Sequence, residues 1–138
     1  MILVDTNALI LLLIGLIDVR LISTHKRTSI YDEQDFYDLQ SIIQPIDKLV
    51  VLPNIWTEVD NLLNRFEGAH RYSYIQKITE IIKSTSEKFL ESSIAAEHIH
   101  FWELGLTDSL ILECAKECGL LITADSKLAD YARSSGIK

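Results

Sequence analysis

The chain has 138 residues, 48% of them apolar and 24% charged, the proportions of one globular domain able to bury a core without disulfides or a structural metal. Asp and Glu number 20 against 13 Lys and Arg, a formal charge of −7, which argues against a protein that coats nucleic acid with a broad basic surface. A nuclease stays open, because carboxylates grouped around a cation do not repel a polyanion once the cation is bound.

Met1 to Val4 is a short apolar run ended by Asp5, the pattern of a fully buried strand. Thr6 and Asn7 offer caps for the apolar stretch Ala8 to Ile17, which should end near Gly15 or Asp18. That stretch is too short to span a bilayer, and it lacks a basic segment before it and a small-residue cleavage site after it. It is expected to be a buried helix of a cytoplasmic protein with no membrane partner. From Ser23 to Asp35 the chain turns polar, with His25, Lys26, Arg27, Asp32 and Glu33, a loop or helix start suited to the rim of a cleft. Phe36, Leu39, Ile42, Ile43 and Ile46 then recur at helical spacing, and Pro45 marks the approaching helix end.

Leu49 to Leu52 predicts a second buried strand, stopped by Pro53. Asn54 is expected to cap a helix running to about Phe66, with Ile55, Val59, Leu62, Leu63 and Phe66 on one face and Gly68 closing it. Ala69 to Thr85 predicts another helix with Tyr72, Ile75, Ile78 and Ile82 inward. Lys88 to Leu90 reads as a short strand, and Ser92 to Trp102 fits no single pattern. Asp108 to Cys118 predicts a helix after Gly105, capped by Thr107 or Asp108 and ended by Gly119. Leu120 to Thr123 is a strand, Ser126 to Ser134 a final helix, and Gly136 opens what would be another strand at Lys138. Cys114 and Cys118 read as small buried side chains in a reducing compartment. A zinc site would have only His98 and His100 near in sequence to complete it, and the C-x-x-x-C spacing alone is a weak signal.

Short apolar strands alternating with helices predict an α/β domain whose mainly parallel sheet lies under helices on both faces. Ligands of such sheets bind outside the carboxyl ends of the strands. Asp5 follows the first strand and Asp125 closely follows the strand at Leu120. Glu58 lies one turn into the helix leaving the second strand. Asp108 opens a helix that feeds a parallel strand, so its start lies at the same edge. Taken singly, Asp5, Asp108 and Asp125 suit helix caps, and Glu58 suits a solvated helix side chain. Capping does not explain four acids at one edge, with no base beside three of them. Grouped carboxylates raise one another's pKa unless a cation neutralises them, and hard oxygen ligands suit Mg²⁺ or Mn²⁺. No Gly-rich phosphate loop and no G-x-S-x-G elbow occurs. A receiver domain would need an Asp where Pro53 and Asn54 close the second strand. A D-x-D phosphatase would need a second Asp where Asn7 stands.

The order Val4-Asp5-Thr6-Asn7, Ile55-Trp56-Thr57-Glu58-Val59, Gly105-Leu106-Thr107-Asp108-Ser109 and Thr123-Ala124-Asp125-Ser126-Lys127-Leu128 resembles the PIN-domain family. It is most similar to stand-alone prokaryotic members such as the VapC-type toxins. The resemblance spans nearly the whole chain. It implies a PIN-like three-layer α/β/α fold in one domain over residues 1–138. It also implies a ribonuclease dependent on Mg²⁺ or Mn²⁺, with Asp5, Glu58, Asp108 and Asp125 as its four acids. In-line attack by water would leave a 5′ phosphate and a 3′ hydroxyl. Asp5, Asp108 and Asp125 are the expected metal ligands, and Glu58 would ligate or orient the attacking water. Asn7, Thr123 and Ser126 are candidates to hold these carboxylates by hydrogen bonds. Lys127, Arg65, Arg71, Lys26 and Arg27 are candidates for RNA phosphates, and Trp56 and Trp102 for stacking, although either tryptophan also suits the core. Two departures from the family stand out: the polar segment Ser23 to Asp35, and an end at Lys138 where the family has a last strand. An antitoxin partner and a homodimer complete the implied picture. Phe36, Leu39, Tyr72 and Tyr74 are the apolar residues expected to exceed one core. The alternative is a catalytically silent PIN domain serving as an interaction module.

Overall fold

A computed structural model describes residues 1–138. Four short strands, β1 (Ile2–Val4), β2 (Leu49–Val51), β3 (Ser86–Glu87) and β4 (Leu120–Ile122), form one sheet in the order β3-β2-β1-β4. Every pairing is parallel, and Leu3 at the centre faces Val50 on one side and Leu121 on the other. The two inner strands are apolar at successive positions: Leu3, Val4, Leu49, Val50 and Val51 are all buried. Helices cover both faces of such a sheet, so neither set of alternate side chains meets water.

Seven helices flank the sheet: α1 (Thr6–Ile17), α2 (Glu33–Ile43), α3 (Pro53–Leu63), α4 (Gly68–Ser84), α5 (Ser92–Ala96), α6 (Phe101–Ala115) and α7 (Ser126–Ser134). α1 packs against α2, α3 and α4, whereas α6 packs against α5 and α7. The chain adopts the expected α/β architecture, its sheet wholly parallel where a mainly parallel one was expected, and two helix groups accord with three layers. α1 is apolar nearly all round and buries every residue from Ala8 to Gly15, as a central helix does. Gly15 is essential to this packing, since a Cβ there would overlap the Phe36 ring of α2. No helix is long and apolar enough to cross a membrane.

Several local expectations are corrected. Asp5, rather than Thr6 or Asn7, caps α1. Asn54 caps nothing: Pro53 takes the first helical position of α3 and Leu52 the cap, because proline has no N–H to satisfy and its φ is already helical. α2 starts from a reciprocal pair of hydrogen bonds between Asp32 and Asp35 and stops at Ile43, leaving Ile42 exposed. α3 ends at Leu63, and Gly68, at φ +60°, opens α4 rather than closing α3.

α4 turns a different face inward from the one its isoleucine spacing predicts. Tyr74, Ile78 and Ile81 are buried, while Tyr72, Ile75 and Ile82 are exposed. Tyr74 can be buried because its hydroxyl donates to Asp60 Oδ1 at 2.7 Å, meeting the need of a phenol removed from water. β3 forms two residues before the expected strand. The stretch from Ser92 to Trp102, whose sequence fits no single pattern, becomes α5 and the start of α6, which is broken at Gly105 (φ 78°). The helix expected after Gly105 does start there, with Asp108 in its first turn, but neither Asp108 nor Thr107 supplies a side-chain cap. No strand follows Gly136, although the Leu121 N–H donates to the Lys138 carbonyl at 2.7 Å. Cys114 and Cys118 are free thiols, and burial pushes the Cys114 thiol up to about 12. His98 meets Glu113 at 3.4 Å instead, and no metal-ligating group of three or more forms anywhere, so the zinc reading gains nothing.

Candidate active site

Asp5 extends β1 by one residue, its N–H donating to the Ile122 carbonyl of β4 at 3.0 Å. That bond fixes the carboxylate at the carboxyl edge of the sheet, only 6% exposed. Its Oδ1 accepts from the Thr6 N–H at 2.6 Å and its Oδ2 from the Thr123 hydroxyl at 2.7 Å. Thr123 Oγ1 in turn accepts from the Asp125 N–H at 3.0 Å. One hydroxyl thus couples the ends of β1 and β4, and Thr123 holds an acid as its sequence position predicts. Asp125 caps α7, its Oδ1 accepting from the Lys127 and Leu128 N–H groups at 2.9 and 3.2 Å. Capping and membership of the acid group are not exclusive: each carboxylate oxygen carries two lone pairs, and neither acid spends all of them on the cap.

Asp108 and Glu58 are not caps. Asp108 sits three residues past the break at Gly105, half-buried on α6. Burial pushes its carboxyl up to about 6, and the negative charges of Asp5, Asp125 and Glu58 push the same way against a smaller opposing pull from Lys127. Glu58, one turn into α3, has its Oε2 buried without a hydrogen-bond partner. All four acids line one open cleft of about 500 Å³. They arrive from the end of β1, the first turns of α3, the second half of α6 and the start of α7.

Of the other candidates, Asn7 and Arg27 line the cleft, whereas Lys26, Arg65 and Ser126 do not. Arg27 is carried by the polar segment after α1, which is pinned rather than loose. The buried Thr28 hydroxyl donates to the Ile22 carbonyl at 2.7 Å, and the Arg27 N–H donates to His25 Nδ1 at 3.1 Å. Lys127 stands beside the cleft, its Nζ donating to the Glu103 carbonyl at 3.2 Å. Arg71 is occupied by the Asn64 carbonyl. Trp56 is core at 7% exposure, and Trp102 is 97% exposed. No sequence expectation included the apolar wall of the cleft, Leu62, Leu104 and Leu106. Its one signal was Gly105 between two leucines, a break that turns both neighbours away from a regular helical face.

Comparison with protein-family models, curated proteins and solved structures finds no match. The site is therefore argued from its own chemistry. Its donors are hard carboxylate oxygens, with one buried oxygen unpartnered and one carboxyl held above its ordinary range by burial first and by the other three acids second. This set fits Mg²⁺ or Mn²⁺ by ligand type. No three of the acids are gathered closely enough to enclose an ion by themselves. Mg²⁺ sites commonly use one or two carboxylates, with water and substrate phosphate completing the shell.

Proposed function

We propose that the chain is a divalent-cation-dependent endoribonuclease of the PIN type, with Mg²⁺ or Mn²⁺ as its cofactor and RNA as its substrate. The observation that carries this reading is the half-buried Asp108, whose carboxyl feels Asp5, Glu58 and Asp125 across one cleft. Four acids from separate elements, with only Arg27 among the lining residues bearing positive charge, form a costly arrangement unless a cation offsets it.

Asp5, Asp108 and Asp125 would hold the cation. Bound there, it would supply Lewis-acid polarisation of the phosphate and a lowered pKa for water. Asp5 is presented rigidly, both oxygens oriented by Thr6 and Thr123. Asp125 keeps Oδ2 available, because its cap bonds fall on Oδ1. Glu58 would orient the attacking water and accept its proton. Arg27, in the cleft, and Lys127, beside it, would bind non-bridging phosphate oxygens and orient the phosphate for in-line attack. An antitoxin that restrains the enzyme is the partner the family resemblance suggests. The silent-module alternative draws on one observation, the lack of a closed set of three ligands.

Metal-dependent cleavage of mixed RNAs by purified protein separates the two readings. Asp5→Asn, Glu58→Gln, Asp108→Asn and Asp125→Asn are each expected to lower cleavage at least ~100-fold, as loss of a transition-state contact does. Wild-type protein inert with both ions, or variants as active as wild type, would remove the ribonuclease reading.

A further inference from the structure

Beside the acid cleft lies a second groove of about 210 Å³, lined by Leu52, Asn54, Phe89, Leu90, Leu106 and Leu110 among others. It sits at the carboxyl ends of β2 and β3, as the acids sit at those of β1 and β4, and Leu106 lines both hollows. The two hollows thus share a wall at the edge of the sheet where ligands of parallel sheets bind. Strands lie about 5 Å apart, so a molecule whose phosphate occupies the acid cleft reaches the groove with its next-door group.

The groove's own chemistry is unlike the cleft's. Leu52 and Leu110 make a buried apolar floor, and Phe89 stands at its side with 77% exposure. Asn54, freed from capping by Pro53, lines the groove with its Nδ2 buried and without a partner. An unmet amide is a standing cost; as placed, Nδ2 is out of a ligand's reach, and a half-turn of the carboxamide exchanges its donor and acceptor ends, so that a bound hydrogen-bonding edge can meet it. A flat apolar body with polar atoms on its rim answers all three features: it covers the leucines, stacks on Phe89 and pairs with Asn54.

We infer that this groove seats one unpaired nucleobase of the RNA, adjacent to the phosphate in the acid cleft. The inference rests on the ribonuclease reading and adds to it a place for one base, which must have left its Watson–Crick partner to enter. Phe89 supplies the stacking face, and Asn54 reads the base edge.

The test needs no cleavage. ¹⁵N-labelled protein in millimolar Mg²⁺, so that the acids do not repel a phosphate, is titrated with AMP, CMP, GMP and UMP, with ribose 5-phosphate and with phenylalaninamide. At least one nucleotide should shift the Asn54 side-chain amide and the Leu106 backbone amide, while ribose 5-phosphate leaves Asn54 still. Phe89→Ala, an exposed and fold-neutral change, should weaken that response roughly tenfold, and Asn54→Ala should flatten differences between the four bases. No shift at Asn54 with any nucleotide, or equal shifts with ribose 5-phosphate, would overturn the subsite. A response to phenylalaninamide alone would overturn it too, making the groove a seat for a protein side chain. Protein that cuts RNA but gives no Asn54 response loses only the subsite. Protein that binds bases but never cuts loses only the ribonuclease.

Discussion

Asp5 and Asp125 each serve as a cap and as a cleft acid, and Asp108 as a cleft acid alone, so substitutions at them separate structural from chemical roles. Asp125→Ala removes two hydrogen bonds from the start of α7 and should cost about 1 kcal/mol. Asp125→Asn keeps an accepting oxygen and should unfold within a few tenths of a kcal/mol of wild type while still losing cleavage. Equal destabilisation by Ala and Asn would show that the charge, rather than the cap, holds α7. Asp108 behaves oppositely. Its folded carboxyl titrates near about 6, against about 3.9 in an unfolded chain, so between these values the folded state binds more protons. Stability from this group is therefore greatest in acid and falls as pH rises through that window. In EDTA, Asp108→Asn should match wild type near pH 4 and gain on it up to pH 6. The advantage should then hold on the order of 1–2 kcal/mol after allowance for solvent screening. Urea denaturation across this range measures the difference, and a gap independent of pH would refute a carboxyl raised by burial and neighbouring charge.

Among the elements, apolar runs with nothing else to do were legible from the residues alone. β1, β2, β4 and α1 lie where consecutive Leu, Ile and Val leave no polar face. Elements whose faces are chosen by partners were less legible. Tyr74 rather than Tyr72 faces inward because Asp60 on α3 receives its hydroxyl, a contact that no pattern within α4 encodes. Asp108 was expected at the start of a helix after Gly105, and it lies in the first turn beyond the break there, without making the cap bond its position suggested. The four acids were readable because each is tied to a strand end by connectivity. The leucine wall and the groove at Asn54 were not, because they form only where three elements meet. Gly15 belongs to this class as well. Alanine has the better helix propensity by about 1 kcal/mol, and a reading of α1 alone would favour it. The Phe36 ring, 3% exposed, occupies the space a Cβ would need and cannot swing into solvent without losing its burial. Gly15→Ala should therefore destabilise by about 1–3 kcal/mol net. Thermal denaturation tests the sign, and a stabilised variant would mean that α2 shifts freely on α1.

For the whole molecule, burial of Phe36, Leu39 and Tyr74 shrinks the apolar excess that pointed to self-association. What remains is narrower. Tyr72, Ile75 and Ile82 are 73%, 45% and 44% exposed on α4, at spacings of three and seven that put them on one stripe. A helix facing its own copy across a two-fold axis buries such a stripe on both partners with a single set of contacts. Charge opposes this, since each chain brings −7, and like-charged partners associate better when salt screens them. The expected outcome is a homodimer of twice 15.7 kDa at micromolar concentration, tightening as ionic strength rises. Tyr72→Glu places a charge in the seam and should return the chain to monomer with its melting temperature nearly unchanged, because the side chain is exposed in the single chain. Sedimentation velocity reads both results. A wild-type monomer at every micromolar concentration would remove the dimer. A Tyr72→Glu dimer as tight as wild type would move the interface away from α4 and leave the stripe without a partner of its own kind.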